Sequence, residues 1–248
     1  MPVDAMVRHV WWTLRGRAAV ALAIVSVQAL ALASRFGGLG AAVPADWELG
    51  TQDRVALEAL AAVPYREYLR QTWAGGDLAV ALALIAVALT VGGVAAERRR
   101  DTLDLTLSLP VPRSRWLLVR GAVVTVLLVL LGFASAAVVA IGGHGAGGVP
   151  GGLLIGVPFL AGIGAASGVA LALLAGTVIR DAIPAALIAL LALYLLGGGG
   201  DPGTSWAPGA WLDIRRWASP PWVSLATWGV LVAGAAGLAI HRFNRIDS

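Results

Sequence analysis

The 248-residue chain contains no lysine and no cysteine, and only 13% of its residues are charged. Without cysteine, the chain has no disulfide, no thiolate metal ligand and no cysteine nucleophile. Without lysine, it cannot contain a phosphate-binding loop of the G-x-x-x-x-G-K-[ST] type, so any ATP must be bound by another chain. Globular domains carry roughly 25% charged residues, and the scarcity here therefore excludes an ordinary soluble protein.

What the chain does contain is apolar sequence, with 58% hydrophobic residues and a mean hydropathy of +0.82. Composition of this kind indicates an integral membrane protein. Six segments approach the roughly 20 apolar residues that a helix needs to cross the hydrocarbon core. The predicted fold is an all-α membrane protein with one transmembrane domain, residues 1–248. Its six spans are predicted at about residues 18–34, 78–96, 116–141, 152–179, 183–196 and 222–240.

The arginines orient this predicted bundle. With both termini in the cytoplasm, 12 of the 18 arginines lie inside, and the acidic residues are in excess outside. This asymmetry follows the positive-inside rule, and it predicts a multi-pass protein of the plasma (inner) membrane with cytoplasmic termini. The arginines lie at helix ends and form no single basic stripe, so the pI near 10.6 does not indicate a nucleic-acid partner. An alternative is that the first apolar run, preceded by Arg15 and Arg17, is a cleaved signal peptide.

Several features outside the long spans have their own predictions. Val7, Val10, Trp11 and Leu14 recur at helical spacing and predict an N-terminal interfacial elbow helix over residues 3–16. The loop 36–77 is polar and acidic, and its role is open. Its aromatic residues before the second span are predicted to form an interfacial belt, and they are Tyr65, Tyr68 and Trp73.

The fifth span is short, because fourteen residues reach only about 21 Å across roughly 30 Å of hydrocarbon. Residues 197–200 are glycines, and the tryptophan-rich segment 206–222 follows them. This pattern predicts re-entrant outer helices between spans five and six.

Two sets of residues within the spans are candidates for packing or transport. Gly164, Gly168, Ala172 and Gly176 are spaced by four, and such a stripe of small residues lets helices approach closely. The seam lies either within the chain or in a homodimer. Gln28 is the main polar side chain in mid-span, and it either forms an interhelical hydrogen bond or lines a possible transport pathway.

Charge is dense only in the segment after the second span, residues 97–110. On a helix, Glu97, Asp101 and Asp104 share one face, and Pro110 would end that helix. A short helix of this kind is suited to docking in a groove of another protein, although a solvated loop remains an alternative.

The same segment resembles the signature that follows the second span of type-2 ABC exporter permeases. In that family a glutamate, a Gly-Thr-Leu, a Leu-Ser-x-Pro and an arginine precede the third span. Asp101 stands here in place of the family's glycine. The elbow helix, the short fifth span and the re-entrant outer helices are also similar to that family. The residues that carry the resemblance are predicted to form the coupling helix, and they are Glu97, Asp101, Thr102, Leu103, Asp104, Leu107, Ser108, Pro110 and Arg113.

The resemblance implies a permease without a cofactor or catalytic site of its own. A separate ATP-binding subunit on the cytoplasmic side would bind ATP and Mg²⁺, and a second permease copy or a paralogue would complete the assembly in the lipid bilayer. The expected function is export of an apolar or amphipathic substrate of the antibiotic, peptide or lipid class.

Three other functions remain open. A membrane subunit that relays ATPase motion to an extracytoplasmic partner has the same sequence features as an exporter. An intramembrane serine protease would use Ser167 with a histidine, but no histidine of the sequence is placed in mid-membrane. An ion-coupled carrier would need ionisable residues near the membrane midplane, and the spans contain almost none.

Overall fold

A computed structural model describes residues 3–39, 65–73, 77–99, 112–142, 149–196 and 222–245, and no strand occurs within these ranges. The described residues confirm the prediction of an all-helical membrane protein. The helices are α1 (Val3–Leu39), α2 (Tyr65–Gln71), α3 (Leu78–Arg99), α4 (Arg113–Gly142), α5 (Gly151–Gly164), α6 (Ala166–Val178), α7 (Ala182–Leu196) and α8 (Trp222–Asn244).

Four stretches of the described chain are long and apolar enough to cross a membrane. They are Val3–Ser34, Ser114–Gly142, Gly151–Val178 and Ala226–Asn244. The other two predicted spans correspond to α3, whose 22 residues include the apolar stretch Leu78–Val91, and to α7, with the apolar stretch Ala182–Leu195. The 15 residues of α7 reach about 22 Å, well short of roughly 30 Å of hydrocarbon. The structure therefore contains a helix at each of the six predicted positions, but the six-span topology is not confirmed.

The predicted elbow helix and the first span belong to one continuous helix, α1. No proline interrupts residues 3–39, so the backbone hydrogen bonds have no cause to break there. Val10 and Leu14 of the predicted amphipathic stripe are buried, whereas Val7 and Trp11 are exposed. A separate elbow helix over residues 3–16 is thus not confirmed.

The predicted fourth span is divided at Ala165 into α5 and α6. The hydroxyl of Ser167 donates a hydrogen bond to the carbonyl oxygen of Gly164, at 2.7 Å. Serine side chains that bond to the preceding turn bend helices, and glycine and serine are frequent at such bends. The break therefore has a local cause in the sequence.

Helix α6 lies at the centre of the bundle and contacts α3, α4, α7 and α8. Its contacts with α3 and α7 are made largely by small residues. The buried side chains of that contact are Val87, Val91, Ala172, Ala175, Ala185 and Ala189. Small side chains let three helix backbones approach one another closely. Close approach favours helix association in a membrane, because the hydrophobic effect does not drive helices together there.

The aromatic side chains of Tyr65 and Tyr68 in α2, and of Trp73 just after it, are buried inside the protein, so the prediction of an aromatic belt was wrong for them. The Tyr65 hydroxyl donates to the Val139 carbonyl at 3.1 Å, and the Trp73 indole N–H donates to Ser135 Oγ at 2.9 Å. These partners on α4 take the place of interfacial water. Burial, with a smaller contribution from the Tyr68 phenol, raises the pKa of Tyr65 above its ordinary value.

Candidate functional site

The predicted coupling segment connects α3 to α4, two helices that are in contact with each other. Glu97 lies in the last turn of α3, and Arg113 is the first residue of α4. The remaining predicted coupling residues lie outside the described residues, and they are Asp101, Thr102, Leu103, Asp104, Leu107, Ser108 and Pro110. The coupling role of the whole segment stays a prediction.

Helix α4 starts directly after this segment, and Pro112 closes its first turn. The carbonyl oxygen of Pro112 accepts hydrogen bonds from the backbone N–H groups of Arg115, at 3.0 Å, and Trp116, at 3.2 Å. Proline is tolerated in this place because the first N–H groups of a helix have no partner within it. The start of α4 is therefore well defined.

A cluster of aromatic and cationic side chains joins the start of α4 to the end of α8. The rings of Trp116 and Phe243 are stacked, with their centroids 6.0 Å apart and an interplanar angle of 13°. The guanidinium carbon of Arg120 lies 5.2 Å from the centroid of the Trp116 ring, and Arg120 is only 2% exposed. A buried arginine next to a membrane span is costly and marks a position with a specific role.

This cluster was not predicted from the sequence, because Arg120 was counted there only as one of the cytoplasmic arginines. The signal was present in the spacing of Trp116 and Arg120, which are four residues apart and so share one face of a helix. Cation–π contacts of this type are most favourable with tryptophan. The contribution of Phe243 was not visible, because it comes from a helix more than 100 residues further along the chain.

An apolar groove lies beside this cluster, between α4, α6 and α8, with a volume of about 240 Å³. Leu117 and Gly121 line it from α4, Leu173 from α6, and Ala236 and Ile240 from α8. It is open at the protein surface.

Gln28, predicted as a possible pathway residue, is half-buried and donates a hydrogen bond from Nε2 to the carbonyl oxygen of Asp77, at 3.3 Å. Asp77 immediately precedes α3. The structure thus places Gln28 in a contact between α1 and the start of α3.

The stripe of small residues is divided between two helices. Gly164 is the last residue of α5, while Gly168, Ala172 and Gly176 lie on α6. All four are buried within the chain. A Cβ atom added at Gly168 would lie 3.3 Å from the Ala83 carbonyl oxygen on α3, so this glycine packs against its own chain. A role in a homodimer stays a prediction.

Ser167 has a structural partner in Gly164, and the indole N–H of Trp228 donates to the same carbonyl oxygen at 3.4 Å. Trp228 is therefore the residue of α8 that lies at the same height in the bundle as Ser167. His241 lies thirteen residues further along α8, which corresponds to about 20 Å. His144 lies outside the described residues, and His9 is exposed near the start of α1. The described residues bring no histidine to Ser167 as a protease would need.

Metal-binding side chains are also not assembled in the described part of the chain. No three histidine, aspartate or glutamate residues come close enough there to hold an ion.

Apolar helices packed through small residues, with polar side chains bonded to neighbouring helices, define a helical integral membrane protein. A family model described as "ABC-2 family transporter protein" matches residues 11–201. This match covers most of the chain and includes the whole segment between α3 and α4, so the chain belongs to the ABC-2 transporter family, as a transmembrane permease subunit. A search of curated proteins finds no match.

Proposed function

We propose that this permease couples ATP hydrolysis on a separate ATP-binding subunit to the export of an apolar or amphipathic substrate. The observation that carries the proposal is the position of the segment 97–113, which links the end of α3 to the start of α4. Both helices contact α6 at the centre of the bundle. A force applied to the segment by a partner would therefore reach the core of the bundle directly.

The composition of the helices supports an external source of energy. Within the described residues, Arg120 is the one charged side chain in the buried set, beside the polar Thr90, Ser135 and Thr177. Ion-coupled carriers place ionisable residues near the membrane midplane. The absence of lysine removes a phosphate-binding loop from this chain, so the ATP and Mg²⁺ sites belong to the partner.

The low charge of the helices also supports the proposed substrate class. Helices built largely of alanine, leucine, valine and glycine match apolar or amphipathic molecules, because burying a charged group without a partner is costly. The proposed orientation places the segment 97–113 and both termini in the cytoplasm of a plasma membrane, following the arginine distribution.

The test is the ATPase activity of the complex between this permease and its ATP-binding subunit in liposomes. We expect Glu97→Gln to lower the stimulation of ATPase activity and the transport rate together. The physical reason is that the carboxylate of Glu97 contributes a charge-assisted contact to the partner, which is worth about 1.5–3 kcal/mol when it is buried on docking.

Asp4→Asn is the matched control. It also removes one carboxylate, but Asp4 lies in an exposed pair with Arg8 at 3.1 Å, and such pairs contribute little to stability. Equal ATPase stimulation in Glu97→Gln and in the unmodified complex would remove this segment from the coupling mechanism.

A further inference from the structure

The apolar groove between α4, α6 and α8 opens sideways. Leu118 of its lining is 56% exposed, and Ala122, one turn further along the same helix, is also exposed. Thr125 is the last α4 residue of the lining. Its hydroxyl donates a hydrogen bond to the Gly121 carbonyl oxygen at 2.9 Å, so it offers no free donor to the groove. Because α4 and α8 are candidate membrane spans, a side opening between them faces the hydrocarbon of the bilayer.

The end of the groove near Trp116 and Phe243 is basic. The stacked rings of Trp116 and Phe243 hold the first turn of α4 against the last turn of α8. Arg115 precedes Trp116, Arg242 precedes Phe243, and both arginines are exposed. The stack therefore brings two arginines to the same end of the bundle, and Arg115 and Arg242 lie three residues from Leu118 and Ala239 of the groove lining, a spacing that places each pair on one helix face.

We propose that this groove binds one anionic phospholipid, with part of an acyl chain between α4, α6 and α8 and the phosphate at Arg115 and Arg242. Basic pockets between membrane helices bind anionic headgroups, and the charges here lie at the ends of the helices, where headgroups lie. An apolar cavity of about 150 Å³ is large enough for benzene. A groove of about 240 Å³ therefore has room for a segment of an acyl chain.

The size of the groove also favours a lipid as its occupant. From Leu117 to Thr125 the groove follows α4 for about 12 Å, at 1.5 Å per residue. Its width admits a single hydrocarbon chain along this length, and it does not enclose a whole helix of a second copy, whose diameter is about 10 Å.

Native mass spectrometry of the purified full-length chain tests the proposal. The chain is titrated with phosphatidylglycerol, with phosphatidylcholine of the same acyl chains, and with inorganic phosphate. We expect one phosphatidylglycerol to bind per chain more tightly than phosphatidylcholine, and inorganic phosphate not to displace it. The double variant Arg115→Gln/Arg242→Gln should weaken phosphatidylglycerol binding by about 30-fold, since each basic residue near an anionic headgroup contributes about 1 kcal/mol.

Two control variants separate the groove from general effects of charge and size. Arg8→Gln/Arg15→Gln also removes two exposed arginines, but on α1, away from the groove. Ala236→Leu fills the groove from α8, whereas Gly237→Leu adds the same side chain at the next residue, where nothing lies within 4 Å of an added Cβ. We expect Ala236→Leu to weaken binding about tenfold and both control variants to bind as the unmodified chain does. Circular dichroism and size-exclusion chromatography show whether each variant is folded.

Three results would overturn the proposal. The first is equal binding of the two phospholipids, and the second is equal loss of binding in the two double arginine variants. The third is a change of oligomeric state in Ala236→Leu without a change in lipid binding, which would assign the groove to a protein contact. Lipid binding is measured without the ATP-binding subunit, so the result does not depend on the coupling role proposed for Glu97.

Discussion

Glycine positions decide how closely α4 and α5 approach. A Cβ atom added at Gly162 would lie 2.7 Å from the Cα atom of Val129, and one added at Gly132 would lie 2.9 Å from the carbonyl oxygen of Pro158. Both distances end on backbone atoms, which cannot move without shifting a whole helix. We therefore expect Gly162→Ala to lower the free energy of unfolding by about 1–3 kcal/mol, the usual cost of overpacking. Thermal unfolding of the purified chain in detergent measures the change.

Gly234→Ala is the matched control for this prediction. Gly234 lies in the exposed part of α8, with no atom within 4 Å of an added Cβ. Alanine is the better helix former by about 0.5–1 kcal/mol, so this substitution should leave the melting temperature unchanged or raise it. Equal melting temperatures for the two variants would show that α4 and α5 can separate without cost.

Residue spacing in the sequence revealed only some of these positions. The stripe that includes Gly168 was visible because its members repeat every four residues in the sequence. Gly132 and Gly162 also have a small residue four positions further along, but that spacing does not show which helix each of them faces. Their role depends on which helices are neighbours, and a single sequence does not state this.

Helix α2 and Trp73, which follows it, are held in the bundle by hydrogen bonds to α4. We expect Trp73→Phe to destabilise the protein by about 1–3 kcal/mol, because it leaves the buried hydroxyl of Ser135 without the indole donor that lies 2.9 Å away. Ser135→Ala should destabilise the protein by a similar amount, because it leaves the indole N–H of Trp73 without its acceptor. The double variant should then cost less than the sum of the two single variants, by about 0.5–3 kcal/mol. Strict additivity in denaturant or thermal unfolding would contradict a direct interaction between these side chains.

Helices of the structure coincide with predicted spans where apolar runs end at charges or glycines. The predicted span 116–141 corresponds to α4 (Arg113–Gly142), and 183–196 corresponds to α7 (Ala182–Leu196). The elbow helix was not confirmed, because Gly16 and Arg17 change the polarity of α1 without breaking its backbone. The burial of Trp73 was also unpredicted, since an aromatic residue near a membrane surface fits a lipid interface and a protein interior equally well.

At the scale of the molecule, the membrane class followed from composition, whereas the arrangement of the helices did not. The central position of α6 depends on contacts with α3, α4 and α8, which are distant in sequence, as well as with α7, which follows it directly. The match to a transporter family covers residues 11–201 and ends before α8. The α8 side of the groove and Arg242 therefore lie outside the residues that the family model matches, whereas the α4 and α6 sides lie within them.

The proposed topology is testable directly because the chain has no cysteine of its own. Single cysteines can replace Asp4 near the start of α1, Asn244 at the end of α8 and Gly151 at the start of α5, all of which are exposed. Gly151 also has no atom within 4 Å of an added Cβ. If both termini are cytoplasmic and the helices cross as proposed, a membrane-impermeant maleimide should label the cysteines at 4 and 244 only in inside-out vesicles. The cysteine at 151 should react only in right-side-out vesicles. Labelling of 4 and 244 from opposite sides would mean an odd number of crossings, because each complete span reverses the side of the chain that follows it. The 15-residue helix α7 would then be the one that does not cross the membrane, since the 22 residues of α3 are long enough to do so.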